Sequence, residues 1–217
     1  MSEVSITEIK TTKKGRYALF CDDGFLFSVD DETLLRHGLK EGSTLSGEEL
    51  LLVREASDYQ KAKNKALDYL GLRDHSEGEL YTKLKRSFDE HTAAAAVAKI
   101  KELGLTDDGA FARNYAYELI ERKGASTRAA ADKLREKGIA KETIAEALAP
   151  YDNSDADRAA ALIEKKYSYK LAMRSGRDAV KAALARRGFS MRDIREALSR
   201  FDENGDAAEE YDYTEEE

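Results

Sequence analysis

Tryptophan is absent from the 217 residues, and cysteine and proline occur once each. The lone Cys21 excludes a disulfide framework and any cysteine-rich zinc module. One proline and fourteen glycines exclude collagen-like and proline-rich low-complexity classes. The three histidines, His37, His75 and His91, are too scattered for metal-ligand spacing, and no metal or other cofactor is expected. No apolar run approaches the roughly 18 residues of a membrane span. The opening residues MSEVSITEIK lack a basic region followed by an apolar core, so a secretory signal is not expected. There is no Gly-rich phosphate loop, G-x-S-x-G, H-E-x-x-H or paired-cysteine motif, and so no ground for an enzyme. A globular chain in a reducing, cytoplasmic setting is expected.

Charge is plentiful and uneven. Charged residues make up 36% of the chain and the net charge is -7. Residues 1–55 carry 7 basic and 11 acidic side chains, residues 56–201 carry 29 and 23, and residues 202–217 carry none and 9. The acidic balance therefore belongs to the two ends, and the central body is basic. A basic body suits an anionic partner, while an acidic tail repels that partner or competes with it.

Short β-prone runs around Val4–Ile9, Tyr17–Cys21 and Phe25–Val29 are separated by Lys13-Lys14-Gly15 and Asp22-Asp23-Gly24. They predict a small antiparallel sheet, covered by a helix over Asp31–His37 with Leu34 and Leu35 inward and Gly38 as its stop. Cys21 is read as packed in this sheet rather than as a reactive thiol, since no cationic cluster adjoins it in sequence. Ser46-Gly47-Glu48-Glu49 is a capping box. From there the period is helical almost to residue 201. Leu50, Val53, Ala56, Lys63, Ala66, Leu67, Tyr69 and Leu70 fit a long stripe, read as one helix with a break. Gly71, Gly104, Gly124, Gly138, Pro150, Gly176 and Gly188 then interrupt at helix-sized intervals.

The helical part repeats. Shifted by 50 residues, Leu134, Gly138, Ile139, Ile144, Ala147 and Leu148 fall on Leu184, Gly188, Phe189, Ile194, Ala197 and Leu198. An earlier copy aligns through Leu80, Leu84, Phe88, Ala93 and Ala96, one residue shorter, with Ser87 where glycine would stand. Repeats of this length are supersecondary units that stack because none can bury its apolar face alone. Each unit reads as three helices. Ser76 and Glu79 cap the middle helix of the first copy, and Ser175 with Asp178 that of the third. Gly138 and Gly188 take the left-handed position after the middle helices, and Ile139 and Phe189 plug the gap beside the third helices. Gly104-Leu105-Thr106-Asp107-Asp108 ends the first copy and caps a helix with a Phe111, Tyr115, Leu119 stripe.

The motifs Ala66-Leu67-Asp68-Tyr69-Leu70, Arg73, His75-Ser76, Glu79-Leu80, Lys83-Leu84, Gly104-Leu105-Thr106-Asp107-Asp108, Phe111-Ala112, Lys133-Leu134 and Lys137-Gly138-Ile139 occur in this order. Over about residues 60–201 the chain thereby resembles the RecX family, bacterial regulators of the RecA recombinase. The resemblance implies a mainly α fold of three tandem three-helix repeats in an elongated, curved array. It also implies a non-enzymatic protein that binds RecA filaments and damps ATP hydrolysis and strand exchange in recombination and repair. The expected segments are a β-rich extension over 1–45, a linker helix and first repeat over 46–104, a second repeat over 105–152, a third over 153–201 and a disordered acidic tail over 202–217. Ser87 departs from the family pattern, and the resemblance says little about the sheet and the tail.

Asp107-Asp108 reads as helix capping rather than as a carboxylate pair, because adjacent helical side chains diverge by about 100°. His75 reads as structural, and His37 and His91 as exposed. The candidate binding residues are basic: Lys83, Lys85 and Arg86 on the first middle helix; Arg128, Lys133, Arg135 and Lys137 on the second; Lys181, Arg186 and Arg187 on the third. Lys165, Lys166, Lys170 and Arg174 are placed on the first helix of the third copy, with Tyr167 and Tyr169 between them. Any one of these is ordinarily a solvated helix residue. Recurrence on equivalent helices would align them into one docking strip for a RecA filament and its single- or double-stranded DNA. Tyr167 and Tyr169 read as base-stacking rings or, for Tyr167, as part of the core. A monomer with no membrane partner is expected. The alternative is a general nucleic-acid-binding repeat protein without RecA specificity.

Overall fold

The computed structural model describes residues 3–151 and 155–201, so the tail expected to be disordered over 202–217 lies outside the described residues. The chain divides into two compact units, residues 1–107 and 108–217.

In the first unit, β2 (Glu8–Thr11), β3 (Tyr17–Cys21) and β4 (Gly24–Val29) form an antiparallel meander, after β1 (Val4–Ser5) and with β5 (Thr44–Leu45) pairing back onto β1. Leu19 stands opposite Ile9 and Phe27. Ile6, Leu19, Val29, Leu39, Leu45 and Val53 make the core. Helix α1 (Asp31–Arg36) is capped by Asp30 and stopped at Gly38. Leu34 packs on the core, but Leu35 does not turn inward: it is 77% exposed. Thr33 is buried instead, and a residue two positions on lies about 200° around the helix, facing water.

The Ser46–Glu49 capping box opens α2 (Gly47–Leu70), a single helix of 24 residues without the expected break. No glycine or proline lies between residues 48 and 70 to make one. Its first half brings Leu50 and Val53 to the sheet, and its second half brings Ala62 and Ala66 to a separate core. Arg16 fastens α2 to the sheet, its Nη2 donating to Ser57 Oγ at 2.8 Å and to the Ser28 carbonyl at 2.9 Å. The second core is closed by α3 (Glu77–Leu84) and α4 (Glu90–Glu102) through Leu80, Leu84, Ala93, Ala96, Val97 and Ile100. Leu67 is only a partial member of the predicted stripe, being 39% exposed. At Ser87 the chain keeps its helical winding: the Ser87 and Phe88 amides both donate to the Leu84 carbonyl, and Asp89 then caps α4. The shorter turn thus dispenses with glycine.

The second unit holds two more triplets. The first of them is α5 (Asp108–Tyr117), running into a π turn over Glu118–Arg122, then α6 (Thr127–Glu136) and α7 (Lys141–Leu148). The other is α8 (Asp155–Lys166), α10 (Gly176–Ala185) and α11 (Met191–Ser199), with a four-residue helix α9 (Ser168–Leu171) inserted after α8. Both middle helices end alike. The Ile139 amide donates to the Leu134 carbonyl and the Phe189 amide to the Leu184 carbonyl, across glycines at φ 78° and 89°. Ile139 and Phe189 are 4% and 3% exposed.

Ser175 does not cap α10 through its side chain. The chain arrives too tightly: a Cβ on Gly176 would lie 1.5 Å from the Lys170 carbonyl oxygen, so α9 crosses the start of α10 where a cap would sit. The two triplets are joined at α6. The Ser126 amide donates to the Arg187 carbonyl at 3.0 Å, and Thr127 donates to Asp155 from both its amide and its hydroxyl. Gly188 makes this approach possible, since a Cβ there would stand 2.5 Å from Ala129 Cβ and 2.8 Å from Ser126 Oγ. Among the described residues no helix is long and apolar enough to cross a membrane.

Gly188→Ala should destabilise the protein by about 2–4 kcal/mol, from left-handed strain plus collision. Gly104→Ala, at φ 67° with nothing near the new methyl group, should cost only about 1 kcal/mol. Urea unfolding of the two variants separates them, and equal losses would remove the packing role of Gly188.

Candidate anion-binding surface

The fourteen candidate cations fall into two groups. Eight are engaged within the protein. Lys85 pairs with Glu90, Lys133 with Glu136, Arg135 with Asp132 and Lys181 with Asp178. Hydrogen bonding to Glu136 raises the Lys133 pKa. Lys83, Lys137, Lys170 and Arg187 lie over tyrosine rings, Lys83 at 4.6 Å from the Tyr69 centroid, Lys137 at 5.9 Å from Tyr115, and Lys170 and Arg187 each at 5.6 Å from Tyr167. In each triplet, then, a cation covers an aromatic ring from the first helix or its end. Arg187 also donates from Nη1 to the Ala183 carbonyl. The other six, Arg86, Arg128, Lys165, Lys166, Arg174 and Arg186, are exposed and have no acidic partner among the described residues.

The equivalent faces of α6 and α10 do not match. Arg128 and Arg135 lie on the exposed side of α6, but the positions 50 residues on are Asp178 and Ala185, and Lys133 corresponds to the buried Ala183. Nor do Lys170 and Arg174 extend the first helix of the third triplet. That helix ends at Lys166, Lys170 belongs to α9, and Arg174 lies in the turn before α10. Tyr167, at φ -131° and ψ 0°, leaves helical geometry and packs on the core of the third triplet, which turns the chain.

This turn gathers charge. Lys170 and Arg187 meet on Tyr167, and Gly176 abuts the Lys170 carbonyl. Lys165 and Lys166 adjoin that ring in sequence, Arg186 adjoins Arg187, and Arg174 precedes Gly176 by two residues. Tyr169 and Met173 are 61% and 57% exposed in the same stretch. Residues 165–177 contain five cations and no acid. Residues 155–201 carry twelve basic and six acidic side chains, whereas residues 56–154 carry seventeen of each. The excess positive charge of the body therefore resides wholly in the third triplet. Reading the basic residues helix by helix missed this, although counting charge triplet by triplet reveals it. Arg192 on α11, exposed and without an acidic partner among the described residues, was also missed.

Lys83 has a separate role. Its Nζ donates to His75 Nε2 at 2.9 Å, while Nδ1 of the same ring donates to the Arg73 carbonyl at 2.9 Å. His75 is 3% exposed, so the ring is structural, and burial foremost pushes its pKa down. The neighbouring Arg73 and Lys83 charges act in the same direction. Among the described residues no group of His, Cys, Asp and Glu could hold a metal ion.

Residues 4–46 match the Regulatory protein RecX N-terminal domain, residues 62–99 the RecX first three-helix domain and residues 107–148 the RecX second three-helix domain. The chain is 31% identical over 209 residues to a Regulatory protein RecX of Streptococcus pneumoniae (strain Hungary19A-6), covering 94% of this chain and 79% of that one. It is 30% identical over 207 residues to a Regulatory protein RecX of Bacillus subtilis (strain 168), covering 93% and 78%. A crystal structure of a regulatory protein RecX superposes with a TM-score of 0.64 at 26% identity, covering 90% of this chain and 99% of the other.

Because its folded state holds His75 neutral, the protein should have that contribution to stability in full above the ordinary histidine pKa of about 6.5 and lose it as pH falls below. Imidazole NMR titration should find His75 titrating below the ordinary histidine value of about 6.5. A His75 midpoint at or above that value would refute the buried, neutral assignment.

Proposed function

The chain belongs to the RecX family of regulatory proteins, and on that premise we propose that it binds RecA–DNA filaments and inhibits RecA ATP hydrolysis and strand exchange, as a cytoplasmic monomer that performs no chemistry of its own. The observation that carries this reading is the unpaired positive charge of the third triplet, at Lys165, Lys166, Arg174 and Arg186. A nucleoprotein filament presents DNA phosphates and acidic protein surface to such a patch. Cations without an internal acid give up no ion pair on docking. Lys133, Arg135 and Lys181 bring their own carboxylates with them and are weaker candidates. A body that fits one filament state better than another shifts the filament toward that state, and inhibition follows if the favoured state turns over slowly or has its groove occupied.

A second reading, general nucleic-acid binding, draws on the exposed Tyr169 beside Lys170, a pairing suited to base stacking. Charge reversal separates these possibilities. Lys165→Glu, Lys166→Glu, Arg174→Glu and Arg186→Glu together should weaken co-sedimentation with RecA–DNA filaments and inhibition of RecA ATPase by about tenfold or more. Reversing Lys133, Arg135 and Lys181 should weaken both by less than about threefold. Undiminished inhibition by the first variant, with its helical circular dichroism intact, would move the site elsewhere. Equal affinity for naked DNA and for filaments at one salt concentration would favour the general nucleic-acid reading.

A further inference from the structure

We propose that the acidic segment 202–217 docks on the basic corner of its own third triplet and competes there with the anionic partner. The proposal rests on the reading of that corner given above and adds its regulation. The segment has nine carboxylates, no cation, and two tyrosines, Tyr211 and Tyr213. It therefore offers the same chemistry as a nucleic-acid strand, namely repeated negative charge with interspersed rings. The corner offers the complement: Lys165, Lys166, Arg174 and Arg186 exposed and unpaired, with Lys170 and Arg187 held over Tyr167.

The point of departure favours an intrachain contact. Phe201 packs on the core of the third triplet, and Arg200 Nη2 lies 2.6 Å from Asp157 Oδ1 on α8. Along that helix Lys165 is eight residues farther on, about 12 Å away. Sixteen residues span up to about 50 Å when extended, so half of the segment suffices to reach the corner. A tether of this length holds the carboxylates at an effective concentration of about 1 mM. Elsewhere the chain gives the segment less reason to settle, because residues 56–154 are balanced and residues 1–55 are acidic.

Two readouts on the whole chain test this. In the neutral-segment variant, Asp202→Asn and Glu203→Gln are joined by the corresponding amide changes at 206, 209, 210, 212, 215, 216 and 217. At low ionic strength its amide NMR shifts should differ from those of the wild type within residues 165–187, and the difference should vanish near 0.5 M salt, roughly where surface attraction is screened. No difference in that stretch, or a difference that grows with protein concentration, would overturn the proposal. The latter result would assign the contact to a second copy. The second readout is affinity for a single-stranded oligothymidylate, which should tighten by about tenfold in the variant if the docked segment has a dissociation constant of about 0.1 mM. Shift changes without any gain in affinity would uphold docking and remove nucleic acid as the corner's partner, so the two ideas fail separately.

Discussion

An apolar side chain set directly after each middle helix closes the triplets of the second unit, and the rest of that unit depends on it. Ile139 and Phe189 can reach their cores only because the backbone reverses at a left-handed glycine and returns an amide to the helix's last free carbonyls. That reversal also fixes where the third helix begins. Ser190 and Asp193, in a complete capping box one residue after Phe189, start α11 so that Ile194 and Leu198 complete the same core. At Gly188 the constraint extends further, because the missing side chain lets the start of α6 sit against the turn, where the Ser126 amide donates to the Arg187 carbonyl. One residue thereby serves the closure of its own triplet and the joint to its neighbour.

The first triplet reaches a similar core by another route. Its turn at Ser87 continues the helical winding, and Asp89 supplies the cap that starts α4. Its polar anchor is the chain from Arg73 through His75 to Lys83, which lies over Tyr69. This anchor works only while the imidazole is neutral, since Nε2 must accept from an ammonium group. A lysine that reads as a surface charge in the sequence is thus part of a packed joint, with its charge spent on a ring and a lone pair.

Much of the fold was legible because its signals are local. Capping residues at Ser46 and Ser76, helical spacing of apolar residues and glycines 50 residues apart each report on a few neighbouring positions. The failures involved contacts between segments distant in sequence or between a short turn and its surroundings. Leu35 and Leu34 are equally apolar, and only the position of the sheet decides which is buried. Ser175 has a suitable residue at the third helical position, yet the crossing of α9 over Gly176 displaces the cap. The basic residues were legible as a set but not in their division, because whether a lysine has a carboxylate or a ring beside it depends on side-chain geometry.

That division bears on how the protein meets a partner. A surface whose cations are already paired presents small local dipoles, whose attraction falls off quickly and adds little at long range. Unpaired cations concentrated in one triplet present a monopole, which steers an anionic partner from a distance and raises the rate of encounter. On the proposed function, the first two triplets, balanced in charge, contribute through shape and local contact once the third has made the approach. A partner that carries charge but lacks the matching shape would be met quickly and released quickly. On the proposed function, selectivity is then a property of dissociation and not of capture, set by the triplets that carry no excess charge.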